Sequence, residues 1–243
     1  MNSPAQRLLQ LLPGQGEALK RQGHAADTRA QVWWSRAACA LSGTPVPAPG
    51  TVFSVAPVII GGYTCVPNAS ADWEDWVYQP RDRVRRVQPG DWDQGPHAAA
   101  EMRICRAVEA RVAQGTPWSE TEYHAQTLRK LNAGALLWGC RSRADLDRHC
   151  EGVDRLIEAI ARNGYLPAQA TPSRSRPDTR YGQREILVNV ARDGRLLFQD
   201  GRHRYAIARA LRTPAIPVQV LVWHRQWVQG RADPVPPGAR LSA

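Results

Sequence analysis

An α+β fold is predicted by three features of the C-terminal half of this 243-residue chain. Ile186–Val190 and Leu196–Phe198 are short apolar runs joined by Arg192-Asp193-Gly194, the pattern of a β-hairpin. Tyr205, Ile207, Ala208 and Leu211 then follow helical spacing within Arg202–Leu211, and Ile216–Trp223 returns to a strand after Pro214. Ahead of the hairpin, Leu146, Cys150, Val153, Leu156, Ile157 and Ile160 line one face of a helix expected over Ala144–Asn163. That order of helix, hairpin, helix and strand belongs to a small α+β domain.

The N-terminal elements are less regular. Ala5–Leu12 is a short amphipathic piece ending at Pro13-Gly14, and Ala26–Leu41 is a second candidate helix. Gly43–Gly50 reads as a linker, being rich in proline and glycine. Val52–Ile60 reads as one buried strand stopped by Gly61-Gly62. Residues 68–96 hold Trp73, Trp76 and Trp92 among Pro, Gly and Asp, so an irregular segment is expected. Met102, Cys105, Val108 and Val112 place a helix over Ala98–Gln114. Ser119 with Glu122 three residues on resembles a capping box opening a helix to about Leu131. Ser142 and Asp145 open the Ala144–Asn163 helix, which Gly164 stops. The expected divisions are an N-terminal helical and irregular extension (1–97), a helical segment packed on the domain (98–140), the α+β domain (141–228) and a flexible tail (229–243).

Composition narrows the class. The longest apolar run, Val52–Ile60, is interrupted by Ser54 and Pro57 and is far short of the roughly 20 residues of a membrane span. No membrane partner is expected, and the N-terminus has no basic, apolar leader. Cys39, Cys65, Cys105, Cys140 and Cys150 are an odd, scattered set, which reads as reduced thiols in the cytoplasm. The formal charge is +10, and 30 of the 32 basic residues are arginine. Split by segment, residues 1–70 carry +3, 71–140 carry −1, 141–170 carry 0 and 171–243 carry +8. An anion site is therefore sought in the last third.

The segment with most chemistry there is Asp200-Gly201-Arg202-His203-Arg204. A strand ends, glycine permits a tight turn and a helix starts, so free amides and the positive end of the helix dipole converge. Arg202, His203 and Arg204 add donors, and arginine suits a bidentate grip on phosphate. Asp200 would repel a phosphate unless it holds magnesium or orients the basic groups. A plain turn followed by a solvated helix start accounts for the same residues equally well.

The run E-I-L-V-x-V-x-R-D-G-x-L-L-F-x-D-G-R-H-R-Y-A-I-A-x-A-L, followed by I-P-V-Q-V, resembles the ParB/sulfiredoxin superfamily. Its G-x-x-R-x-x-A motif matches at Gly201, Arg204 and Ile207 or Ala208, and Ile216–Val218 matches the closing strand. The likeness spans Asp145–Trp227, and Gly90–Asp93 and Trp138–Cys140 look similar to a ParB-like branch. The resemblance implies a nucleotide-phosphate site at Gly201, Arg202, His203 and Arg204. The cysteine that sulfiredoxins carry is replaced by Arg202, so sulfinate repair is not expected. Only 26 residues follow Pro217, so the helix-turn-helix of partitioning proteins is not expected either. D-G-R-H-R is one substitution from the D-G-H-H-R of free serine kinases. That branch implies ATP or another nucleoside triphosphate, magnesium at Asp200, and Asp200 and His203 as catalytic residues of a phosphotransferase. Its acceptor would be a small hydroxylated molecule or glycan precursor. A non-catalytic nucleotide-binding or nucleic-acid-associated module is the alternative.

A kinase also needs a base for the acceptor hydroxyl. Asp145, Asp147, Glu151 and Glu185 are the candidates, with helix capping competing at Asp145 and a strand-edge charge at Glu185. The loop Thr171–Arg184, with Arg174, Arg176, Arg180 and Arg184, reads as a solvated connector or a basic lid. Cys140, His149 and Cys150 lack a fourth zinc ligand and read as packing. Trp223, His224 and Trp227 read as core in preference to a base-stacking platform.

Overall fold

The computed structural model describes residues 46–48, 50–64, 86–95, 97–167, 185–229, 231–232 and 235–242. The expected helices Ala5–Leu12 and Ala26–Leu41, Cys39 and Cys65, residues 65–85, and the arginine-rich loop Thr171–Arg184 lie outside the described residues.

Helices and a mixed seven-stranded sheet form an α+β fold. The strands are β1 (Val52–Val55), β2 (Ile60–Tyr63), β3 (Val87–Gln88), β4 (Ile186–Val190), β5 (Leu196–Asp200), β6 (Ile216–His224) and β7 (Arg240–Leu241). The helices are α1 (Arg103–Gln114), α2 (Glu122–Asn132), α3 (Arg143–Asn163), α4 (Arg202–Ala210) and the short α5 (Arg225–Val228). The sheet runs β2-β5-β4-β6-β1-β7, with β3 paired to the end of β6. β4 and β5 are the expected antiparallel hairpin, β6 lies parallel to β4, and β2 lies parallel to β5.

The described strands 52–63 and 87–88 are built into this sheet, so the division expected at residue 97 does not separate an extension from the fold. Residues Arg240 and Leu241 pair with Ser54 and Phe53, and the segment expected as a flexible tail ends in a strand. Backbone groups at the β1 edge gain partners from this pairing, which no local pattern announces. The expected single strand Val52–Ile60 is two strands, because Pro57 opens a 3₁₀ turn at Pro57–Ile59 and β2 continues at the opposite edge of the sheet.

Every residue of β4 is buried, so both faces of the central sheet are covered. On one face Val188, Val190, Phe198, Val218 and Val220 pack with Ile104 and Val108 of α1 and Tyr205–Ala208 of α4. On the other, Leu197 and Val222 pack with Trp92. Asn189 supplies the polar link there: its amide donates to Thr64 Oγ1 and Gln199 Oε1, and its carbonyl oxygen accepts from the Val222 amide at 3.0 Å. Such satisfaction is required of a side chain with no solvent contact.

Helix boundaries follow their caps. At the expected helix start, Ser142 accepts from the Asp145 amide while Asp145 accepts from the Ser142 amide, a capping box. Helix α2 begins later than expected: Thr121, not Ser119, is its cap and accepts from the His124 amide, because Trp118–Glu120 forms a 3₁₀ turn first. Trp118 is buried there and donates to Asp154, which also receives Arg111.

Candidate functional site

The D-G-R-H-R turn joins β5 to α4 one strand in from the β2 edge of the sheet, where β4 and β5 lie side by side. Gly201 adopts φ 93° and ψ 32°. A Cβ there would also lie 3.3 Å from the Ile186 Cα, so the β4 backbone closes the space a side chain needs. Asp200 Oδ1 accepts from the Gly201 amide at 2.7 Å. The first-turn amides of α4 lack partners within the helix by construction, and Gly201 has no side chain to cap them. Tyr205 anchors the helix beneath, donating from its hydroxyl to Ile60 O at 2.9 Å.

Arg202, His203 and Arg204 are all partly buried at this end of α4, but their chemistry differs. Arg204 lies 3.9 Å from the carboxylate of Glu185, which is 3% exposed at the start of β4. The buried hydroxyl of Tyr165 is close by; burial pushes its pKa up to about 12, with Arg204 pulling the other way. Of the four carboxylates considered as bases, Glu185 is the one beside the turn. Asp145 is occupied in the α3 cap and by Arg148, Asp147 meets His124 at 3.1 Å, and Glu151 faces Arg155.

His203 points into a cluster that the sequence did not disclose. Its Nε2 lies 3.0 Å from the Tyr123 hydroxyl and 3.2 Å from His149 Nε2. Trp138 lies flat against His149, with ring centroids 4.9 Å apart and planes within 9°, and presents an edge-on contact to His203 at 5.3 Å. Burial pushes the His203 pKa down to about 3, helped by the neighbouring His149 and Arg202, and burial also lowers that of His149. His203 is thus a neutral ring, where the sequence led us to count it among the charged donors.

The chain matches no family model, no curated protein and no solved structure.

Among the described residues, no group of three or more His, Cys, Asp or Glu side chains suits a metal ion. Cys140 and Cys150 are buried thiols, and burial pushes the Cys150 pKa up to about 12. Trp223, His224 and Trp227 are buried in the core. His224 donates from Nε2 to Gly90 O at 2.8 Å and accepts at Nδ1 from the Gln226 amide, a structural role. The Gly90–Asp93 loop is likewise structural: buried Asp93 accepts from the Arg192 amide at 2.8 Å and from its guanidinium. No described helix is long and apolar enough to cross a membrane.

Sequence reasoning missed Tyr123 and Trp138 and set His149 aside with the zinc ligands. One signal was present: Trp138-Gly139 occupies a turn where Asn-Gly is the ordinary pair.

Proposed function

We propose that the β5–α4 turn binds the phosphates of ATP or another nucleoside triphosphate, and that the chain is a phosphotransferase of ParB/sulfiredoxin fold. The acceptor would be a small hydroxylated molecule or glycan precursor. Gly201 carries this reading: its left-handed conformation lets β5 pass directly into a nine-residue helix whose first turn holds Arg202 and Arg204. Arg202 and Arg204 would hold phosphate oxygens, and His203 would contribute its backbone amide and a neutral ring. Glu185 would take the proton of the acceptor hydroxyl as its oxygen bonds to the γ-phosphorus and the β–γ bridging P–O bond breaks. Asp200 fits magnesium only as a single protein ligand, since one of its oxygens already accepts the Gly201 amide. Phosphate oxygens and water would complete such a shell, and the ion would neutralise charge on the transferred group.

The second reading, a nucleotide-binding or nucleic-acid-associated module without transfer, is favoured by the Glu185 carboxylate facing Arg204, which weakens the pull of that arginine on an anion. A thermal-shift panel of ATP, ADP, CTP and GTP with and without magnesium, paired with γ-phosphate release, tests both. Stabilisation that is lost in Arg204→Ala, together with turnover, supports the phosphotransferase. Stabilisation without turnover moves the assignment to the binding module, for which salt-sensitive retention of DNA is the next check. No stabilisation by any nucleotide overturns both.

A further inference from the structure

We infer that Trp138 is a stacking platform for the base of the bound nucleotide, held beside the phosphate turn by a backbone conformation unfavourable to tryptophan. This rests on the phosphate assignment at the β5–α4 turn and adds the part of the ligand that the arginines do not address.

The first support is the turn itself. Cys140 donates its amide to Leu137 O at 2.8 Å and Leu137 donates back to Cys140 O at 3.4 Å, leaving Trp138 and Gly139 as a two-residue turn. Both have positive φ, 51° and 85°. That pattern is ordinarily filled by Asn-Gly, because a bulky side chain at positive φ crowds its own backbone. Trp138 is one of two non-glycine residues with positive φ among those described, the other being Arg212.

The second support is exposure. A strained tryptophan that served the core would be buried by it, yet Trp138 is 44% exposed. His149 covers one face, at 9° from parallel, so the indole is fixed in orientation as well as presented to solvent. Tyr123 packs against it at a tilt, with centroids 5.9 Å apart and planes 33° apart. A flat, braced and accessible π surface is what a purine or pyrimidine stacks on.

The third is position. His203 touches Trp138 through its ring and belongs to the first turn of α4, between Arg202 and Arg204. Platform and phosphate turn therefore share one residue as a common wall. Stacking accepts any base, so the platform predicts similar affinities for ATP, GTP and CTP.

The test is calorimetric titration of ATP and of inorganic tripolyphosphate into the full chain, as wild type, Trp138→Asn and Trp138→Phe. Asparagine suits the turn, so the fold should survive with Tm changed by only about 3 °C. ATP affinity should fall roughly ten- to a hundredfold in Trp138→Asn and recover in large part in Trp138→Phe, while tripolyphosphate affinity stays within about twofold. Tripolyphosphate binding as tight as ATP binding in the wild type overturns the platform. So does an ATP loss below about twofold in Trp138→Asn, or an equal loss for both ligands in both variants. Binding of neither ligand by the wild type overturns instead the phosphate assignment beneath it.

Discussion

His149 and His203 meet Nε2 to Nε2 at 3.2 Å, with the Tyr123 hydroxyl 3.0 Å from the same His203 atom. One ring must carry a proton at Nε2 and the other accept it, so the contact exists only while the pair is not doubly protonated. Burial lowers both pKa values from the ordinary 6.5, His203 to about 3. The unfolded chain therefore takes up protons first as pH falls, and the stability contributed here is whole above about pH 6.5. It declines as pH drops toward the folded value of about 3. Melting temperatures at pH 7 and pH 5 should fall further for the wild type than for His203→Gln; equal losses would show that the ring titrates normally.

Asp93 is 2% exposed and receives the Arg192 amide and guanidinium, which hold its carboxyl below the usual range against the opposing effect of burial. Asp93→Ala removes an acceptor from buried donors, although Asp91 keeps a contact to Arg192 at 2.7 Å. Destabilisation of about 2–4 kcal/mol is expected in urea unfolding. A cost below about 0.5 kcal/mol would mean that the loop is not anchored by this pair.

Gly194 and Gly115 both have positive φ, 87° and 70°, but their surroundings differ. A Cβ on Gly194 would meet the Trp227 ring at 2.5 Å, whereas nothing lies within 4 Å at Gly115. Alanine at either site carries the left-handed backbone cost of roughly 1–2 kcal/mol. At Gly194 overpacking adds about 1–3 kcal/mol more. Chemical denaturation of the two variants should separate by at least that lower figure, and equal costs would show that Trp227 moves aside freely.

Glu185→Gln distinguishes a base from a mere counter-ion to Arg204. As a base, its loss should reduce transfer by about 10²–10⁴-fold. Nucleotide affinity should hold or rise, since Arg204 would no longer face a carboxylate at 3.9 Å. Single-turnover transfer beside equilibrium binding reads both quantities. Unchanged turnover would leave Glu185 as the partner of Arg204 alone.

Features set within a few residues were legible in the sequence. The helix start at Ser142–Asp145, the Gly164 stop, the Arg192–Gly194 turn and the strand–Gly201–helix order all stand where their chemistry places them. Caps and positive-φ turns depend on neighbours along the chain, and those neighbours are printed in it. Pro57 was also visible, but an apolar run does not say at which edge of a sheet its second half will lie.

Local pattern and composition are enough for the α+β class, the turn at Gly201 and the net +8 formal charge of residues 171–243. What surrounds those charges follows from the packing of distant segments. Arg192 is gripped by Asp91 and Asp93 from 99 or more positions away, and Arg204 faces Glu185. Arg231 lies over the Trp227 ring, and His203 is held neutral by packing against α2 and α3. Charge is a property of composition, whereas its neutralisation and the pKa of a ring depend on partners that are distant in sequence and meet only when the sheet closes.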